Sequence, residues 1–192
     1  MKRKIAIFAS GSGTNAEEII RFFQDHDRIT VSLILSNNPD AYVLQRAKNH
    51  NIPHHVFSRH EYYKERTVDE VLKSNGIDFI VLAGFMWLVP ERFVKNYPRA
   101  IVNIHPALLP KYGGKGMYGH YVHEAVKRNQ EIESGITIHW VNEAYDEGNI
   151  IFQAKCKLSP EDTPDEIAAK VHKLEYQHYP KVIEQVLMED QS

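Results

Sequence analysis

Cysteine is nearly absent: the 192 residues hold one, Cys156. A lone thiol excludes an internal disulfide and any multi-cysteine zinc site, and it suits a reducing compartment. No excess of either charge is present, the formal net charge being -2. That balance gives no electrostatic footprint for nucleic acid or a membrane surface, so neither is expected as a partner. No apolar stretch approaches a membrane span. The run Ile5 to Phe8, behind Met1-Lys2-Arg3-Lys4, is too short for a signal peptide. Repeats and low-complexity segments are lacking as well. What remains, 43% hydrophobic and 25% charged residues, is ordinary for a globular chain able to bury a sizeable core. The expectation is a cytoplasmic protein of one domain over 1–192.

What is present is an alternation of strand and helix patterns. Residues 3–9 read as a buried strand that ends in Ser10-Gly11-Ser12-Gly13-Thr14-Asn15, and Ala16, Ile19, Ile20 and Phe23 then mark a helix face. Strand, glycine loop and helix together present backbone N–H groups to a phosphate. Gly11-x-Gly13-x-x-Ala16 also fits the loose dinucleotide fingerprint, which needs an acid after the second strand. Here the second strand, Thr30 to Leu35, ends in Ser36-Asn37-Asn38-Pro39. The missing acid argues against NAD and leaves a phosphate monoester site. The same loop is also consistent with a tight turn that uses glycine only for its backbone.

Further along, 41–49 reads as helix, 52–57 as strand and 60–75 as one polar helix with Val68, Val71 and Leu72 inward. Ile77 to Leu82 is a continuous apolar run, as in a central parallel strand. It leads into Ala83-Gly84-Phe85-Met86-Trp87-Leu88-Val89-Pro90, bulk that suits either core or a slot for a flat ring. A short helix from Pro90 to Asn96 precedes the strand Ile101 to Ile104. Within that strand sits Asn103, an amide that must find partners, and His105-Pro106 follows directly. Alone, the pair fits a bonded core Asn and an incidental His. The segment 111–121 carries four glycines and reads as an irregular loop, followed by a helix over 122–127.

Residues 135–141 and 150–155 alternate and read as an antiparallel hairpin, with Asp146 in its turn. Thr163-Pro164-Asp165-Glu166 is a capping box that opens the last helix, where Pro180 predicts a kink or split. His172 and Glu175 lie beside its buried stripe and read as helix-surface groups. This alternation predicts an α/β fold, a mostly parallel twisted sheet of about seven strands with helices on both faces. In such sheets ligands bind beyond the carboxyl ends of the strands. Segments 10–15, 83–89 and 103–110 each follow a strand and so converge on one rim, which makes Asn103 and His105 candidate site residues.

The sequence resembles the phosphoribosylglycinamide formyltransferases, folate-dependent enzymes of purine synthesis. The resemblance is carried by Gly11 to Asn15, Val81-Leu82-Ala83-Gly84-Phe85-Met86 and Asn103-Ile104-His105-Pro106-Ala107-Leu108-Leu109-Pro110-Lys111-Tyr112. It continues through Ser134-Gly135-Ile136-Thr137, Asp146-Glu147-Gly148-Asn149-Ile150-Ile151 and Gln153-Ala154-Lys155. Asn-x-His-Pro followed by Asp-x-Gly is specific to folate formyltransferases as a group. A methionyl-tRNA relative would carry a C-terminal domain and a formyltetrahydrofolate hydrolase an N-terminal one. Departures are Ala107 in place of Ser, Trp87 in place of Arg, and an enlarged glycine loop after Gly113.

The resemblance implies 10-formyltetrahydrofolate as co-substrate and no metal, in a monomer or homodimer acting on small molecules. It implies a phosphate-binding, Rossmann-like half over 1–100 and a catalytic, folate-binding half over 101–192. Asn103, His105 and Asp146 are the catalytic residues so implied, with Asp146 pairing with His105 and raising its pKa. The phosphate falls to Gly11, Ser12, Gly13, Thr14 and Asn15, and the glycinamide end to His172, Lys173, Leu174 and Glu175. Folate falls to Arg59, Met86, Trp87, Leu88, Val89, Asn103, Asn142, Glu143, Ala144, Tyr145 and Asp146. A formyltetrahydrofolate hydrolase and a non-catalytic folate- or nucleotide-binding module remain the alternatives.

Overall fold

The computed structural model describes residues 2–189. In chain order they form β1 (Arg3–Phe8), α1 (Thr14–Phe23), β2 (Ile29–Ser36), α2 (Val43–Asn49) and β3 (His54–Val56). Next come α3 (Arg59–Tyr63), α4 (Thr67–Ser74), β4 (Phe79–Leu82), α5 (Glu91–Asn96) and β5 (Ile101–His105). α6 (His120–Arg128), β6 (Glu133–Trp140), β7 (Ile150–Lys157) and α7 (Pro164–Glu189) complete the chain.

The strands make one sheet in the order β3-β2-β1-β4-β5-β6-β7. β1 to β5 run parallel, while β6 pairs antiparallel with both β5 and β7. Strand alternation builds two cores. Ile5, Ile7, Phe79, Val81, Val102, Ile104, Ile136 and Ile138 pack with α1, α2, α6 and α7 on one face. Ala6, Phe8, Ile80, Leu82 and Ile101 pack with α3, α4 and α5 on the other. By the same period of two, Asn103 and His105 on β5 and Thr137 and His139 on β6 share the second face.

Two helix expectations are corrected. The single helix over 60–75 is two, α3 and α4. Tyr62 and Val68 both enter the second core. Six positions apart, they would point roughly 120° away from each other on one continuous helix, so the break at 64–66 resets the phase. Ser58 opens α3 with a capping box to Glu61. Conversely, α7 runs through Pro180 without splitting. Val171, Tyr179, Val182 and Ile183 pack on the same core on either side of the proline and hold the helix together. The buried Tyr179 hydroxyl lies 2.8 Å from the Leu82 carbonyl and 3.3 Å from that of Val102. It pins α7 to the carboxyl end of β4 and to the start of β5. No helix among the described residues is long and apolar enough to cross a membrane.

Candidate active site

The strand order reverses between β1 and β4, since the chain winds outward from β1 to β2 and β3 on one side and returns to add β4 and β5 on the other. A crevice opens at such a switch point. The two loops that leave it are tied together. Ser10 N–H donates to the Gly84 carbonyl at 3.1 Å, and Met86 N–H donates to Ser10 Oγ at 3.1 Å. Gly13 caps α1 with φ 69° and no side-chain cap, so the first-turn N–H groups stay available to an anion. A Cβ on Gly13 would stand 2.5 Å from Val43 Cγ2. Arg46 braces the loop by donating from Nε to the Ser12 carbonyl at 2.8 Å while pairing with Glu17 at 3.2 Å. Burial works against the Glu17 charge, but hydrogen bonds from His50 and Arg46 hold its pKa below the ordinary value.

On the neighbouring strands a second cluster forms around Asp146. His105 is buried, with Nδ1 3.4 Å from Asp146 Oδ2 and Nε2 2.6 Å from the Tyr112 carbonyl. Asn103 Nδ2 lies 3.4 Å from Asp146 Oδ1 and 3.2 Å from His139 Nε2. Gly114 N–H donates to Asp146 Oδ2 at 3.0 Å. Asp146 itself sits at φ 55°, a conformation Asp tolerates better than most side chains. Its pKa is lowered: burial opposes the charge, and His139, His105 and the Gly114 N–H outweigh that penalty. The overall shift is downward, although Asp146 does pull the His105 pKa upward. Burial holds it below 6.5 with His139 adding to the effect, while Asp146 and the Tyr112 carbonyl pull it back up.

Both clusters open into one cavity of about 740 Å³. Gly11 to Asn15 line one end and Asn103, His105, His139 and Asp146 the other, with Phe85 to Val89 between them. At the α7 wall, Asn15 Nδ2 donates to Glu175 Oε2 at 2.9 Å. Burial raises the Glu175 pKa against the pull of Asn15 and His172. His123, buried on the neighbouring α6, is held down to about 4 by burial and by His172, His120 and His105. No three His, Cys, Asp or Glu side chains among the described residues are grouped to hold a metal ion.

A model of the formyl transferase family matches residues 3–183. The chain belongs to the formyl transferase family. It is 40% identical over 186 residues to the phosphoribosylglycinamide formyltransferase of Haemophilus influenzae, covering 94% of this chain and 85% of that one. With the chloroplastic phosphoribosylglycinamide formyltransferase of Arabidopsis thaliana it shares 38% identity over 188 residues, 95% of this chain and 64% of the relative. The crystal structure of phosphoribosylglycinamide formyltransferase from Anaplasma phagocytophilum superposes with a TM-score of 0.89 at 30% identity, covering 98% and 89%.

Within this formyl transferase, Met86, Trp87, Leu88, Val89, Ala144, Tyr145, His172 and Glu175 stand on the cavity wall together with 11–15, Asn103, His105 and Asp146. Lys173, Leu174, Arg59, Asn142 and Glu143 do not. Helical periodicity puts His172 and Glu175 on one face of α7 and turns Lys173 to solvent and Leu174 toward the first core. Arg59 stacks its guanidinium over Tyr63 and Trp87, at 5.1 and 5.6 Å, on the outer side of the slot. Asn142 spends Oδ1 on the Ala144 N–H, and Glu143 is exposed. Sequence reading missed His139 and the 114–120 segment, both on the wall. The signals were there: a polar residue in register with Asn103, and four glycines just after the His-Pro turn.

The loop yields a clean test. Gly13→Val would clash with Val43 whatever the ligand, whereas a Cβ on Gly11 meets nothing within 4 Å. Gly11→Ala is therefore expected to keep the thermal midpoint within about 2 °C. It should raise KM for the phosphate-bearing substrate by about tenfold, a loss comparable to one or two hydrogen bonds. Equal KM changes for both substrates would remove the phosphate role from this loop.

Proposed function

We propose that the protein transfers the formyl group of 10-formyltetrahydrofolate to the primary amine of 5-phosphoribosylglycinamide in purine synthesis. Tetrahydrofolate and the N-formyl glycinamide product leave, and the whole chain, 1–192, works as one domain. The observation that carries this reading is the continuity of the cavity. An anion-ready helix terminus, an apolar slot and a buried Asn–His–Asp cluster open into one space.

The phosphate sits on the backbone of Gly11 to Asn15, and Asn15 with Glu175 meets the portion of the substrate between phosphate and amine. Phe85 to Val89, with Ala144 and Tyr145, receive the pteridine. The amine nitrogen attacks the formyl carbon, the new C–N bond forms, and the carbonyl pair moves onto oxygen. His105 Nε2–H exchanges the Tyr112 carbonyl for this oxygen and donates to it as its charge develops. Collapse breaks the bond from carbon to the folate nitrogen, which keeps the electron pair. One proton passes from the attacking nitrogen to the folate nitrogen, with the imidazole as the group placed to relay it.

Incubation with both substrates, followed by folate absorbance and by the formylated product, tests this. Formation of product in step with folate release is expected. Folate release in the absence of the amine at the same rate would instead make water the acceptor, as in a hydrolase. The phosphate-ready loop in the same cavity favours the amine.

A further inference from the structure

His139 is buried beside the reacting groups yet does not touch either substrate directly in the reading above. Its Nδ1 lies 2.8 Å from the Trp140 carbonyl, which can only accept. That corner is closed by Gly148, where a Cβ would stand 1.6 Å from the same carbonyl oxygen. The carbonyl thus requires a ring proton on Nδ1, while Nε2 lies 3.6 Å from Asp146 Oδ1 and 3.2 Å from Asn103 Nδ2. Asn103 Nδ2 stands 3.4 Å from the same carboxylate oxygen, which can only accept. Turning the amide over would set its oxygen against that carboxylate, so the NH₂ end faces it, and His139 Nε2, beside the same nitrogen, takes the second N–H. The two N–H bonds of Asn103 are therefore committed, and Oδ1 is the atom it offers to the cavity.

We infer that His139 is a positioning residue that fixes the Asn103 amide so that its Oδ1 accepts a hydrogen bond from the attacking amine. The inference rests on formyl transfer to an amine as the reaction. An amine that donates one N–H to Oδ1 keeps its lone pair for the formyl carbon. The bond strengthens as the nitrogen becomes positive on attack, so it acts more in the transition state than in the ground state. His105 is then the donor to the oxygen, and Asn103 the acceptor for the nitrogen.

Two measurements test this. Long-range proton–nitrogen NMR on the uniformly labelled parent, with His139 assigned by its loss in His139→Gln, should show the proton on Nδ1 and none on Nε2. A proton on Nε2, in a neutral or a charged ring, overturns the inference. In steady state, His139→Leu should lower kcat by about tenfold, the worth of roughly one net hydrogen bond, with both KM values within about threefold. His139→Gln, whose side-chain oxygen can accept in place of Nε2, should restore most of that loss. Equal loss in both variants, or an unchanged kcat in His139→Leu, overturns it. Should His139→Leu not fold, the NMR result decides. A parent that fails to turn over would sink the formyl-transfer reading instead and leave the tautomer measurement standing.

Discussion

His105→Ala is expected to lower kcat by about 10²–10³-fold, the range found when one oxyanion donor is removed. KM and the equilibrium affinity for the folate should change little. His105 is buried at the carboxyl end of β5, with one ring nitrogen against Asp146 and the other 2.6 Å from a backbone carbonyl that a reacting oxygen can replace. Its contribution is to charge that exists only during reaction, so the loss belongs in kcat. Asn103→Ala should fall in the same direction, because it strips the cavity of the amide held by Asp146 and His139. Steady-state kinetics with both substrates varied, beside direct folate binding, checks the pair. A His105→Ala enzyme with near-parent kcat would remove the oxyanion role.

Asp146→Asn is expected to cost about 10²-fold in kcat, at the low end of what a positioned acid–base group contributes. Asn keeps the shape and tolerates the φ of 55°, but its single oxygen can accept from Gly114 N–H or from Asn103, not from both. What it removes is the charge and one acceptor. Burial already holds the His105 pKa below 6.5, and the Asp146 carboxylate is the largest influence pulling it back up. Without that charge the histidine pKa moves further down. The protonated ring then persists only at lower pH, so activity that depends on it is lost at a lower pH than in the parent. NMR titration of His105 together with the pH profile of kcat reads both effects. An unshifted titration in Asp146→Asn would break the coupling and leave Asp146 a bonded turn acid.

These outcomes draw unequally on what was legible in the sequence. Patterns local in the chain were readable: the buried run of β1, the alternating residues of β6, the glycine turn into α1, the Thr163–Glu166 capping box, and the run that becomes β4. Where one pattern had two physical readings, the sequence alone did not choose. A polar stretch over 60–75 is helical residue by residue, and only the need to bury both Tyr62 and Val68 breaks it. Pro180 is a helix breaker by itself, and only the packed core on either side overrides it.

Sequence determined the residue types that chemistry needs and the rim on which they fall, because strand order along the chain and alternation along each strand set both. The tertiary structure decided which of those residues meet. Asp146 reaches His105 and Asn103 because β6 runs antiparallel to β5 and returns the 142–149 turn over the same face. His139 enters the cluster through that register, opposite Asn103. The direction of the His105 shift was decided there too. It depends on how much of the ring is buried and on every charge around it, quantities that exist only once distant segments have packed.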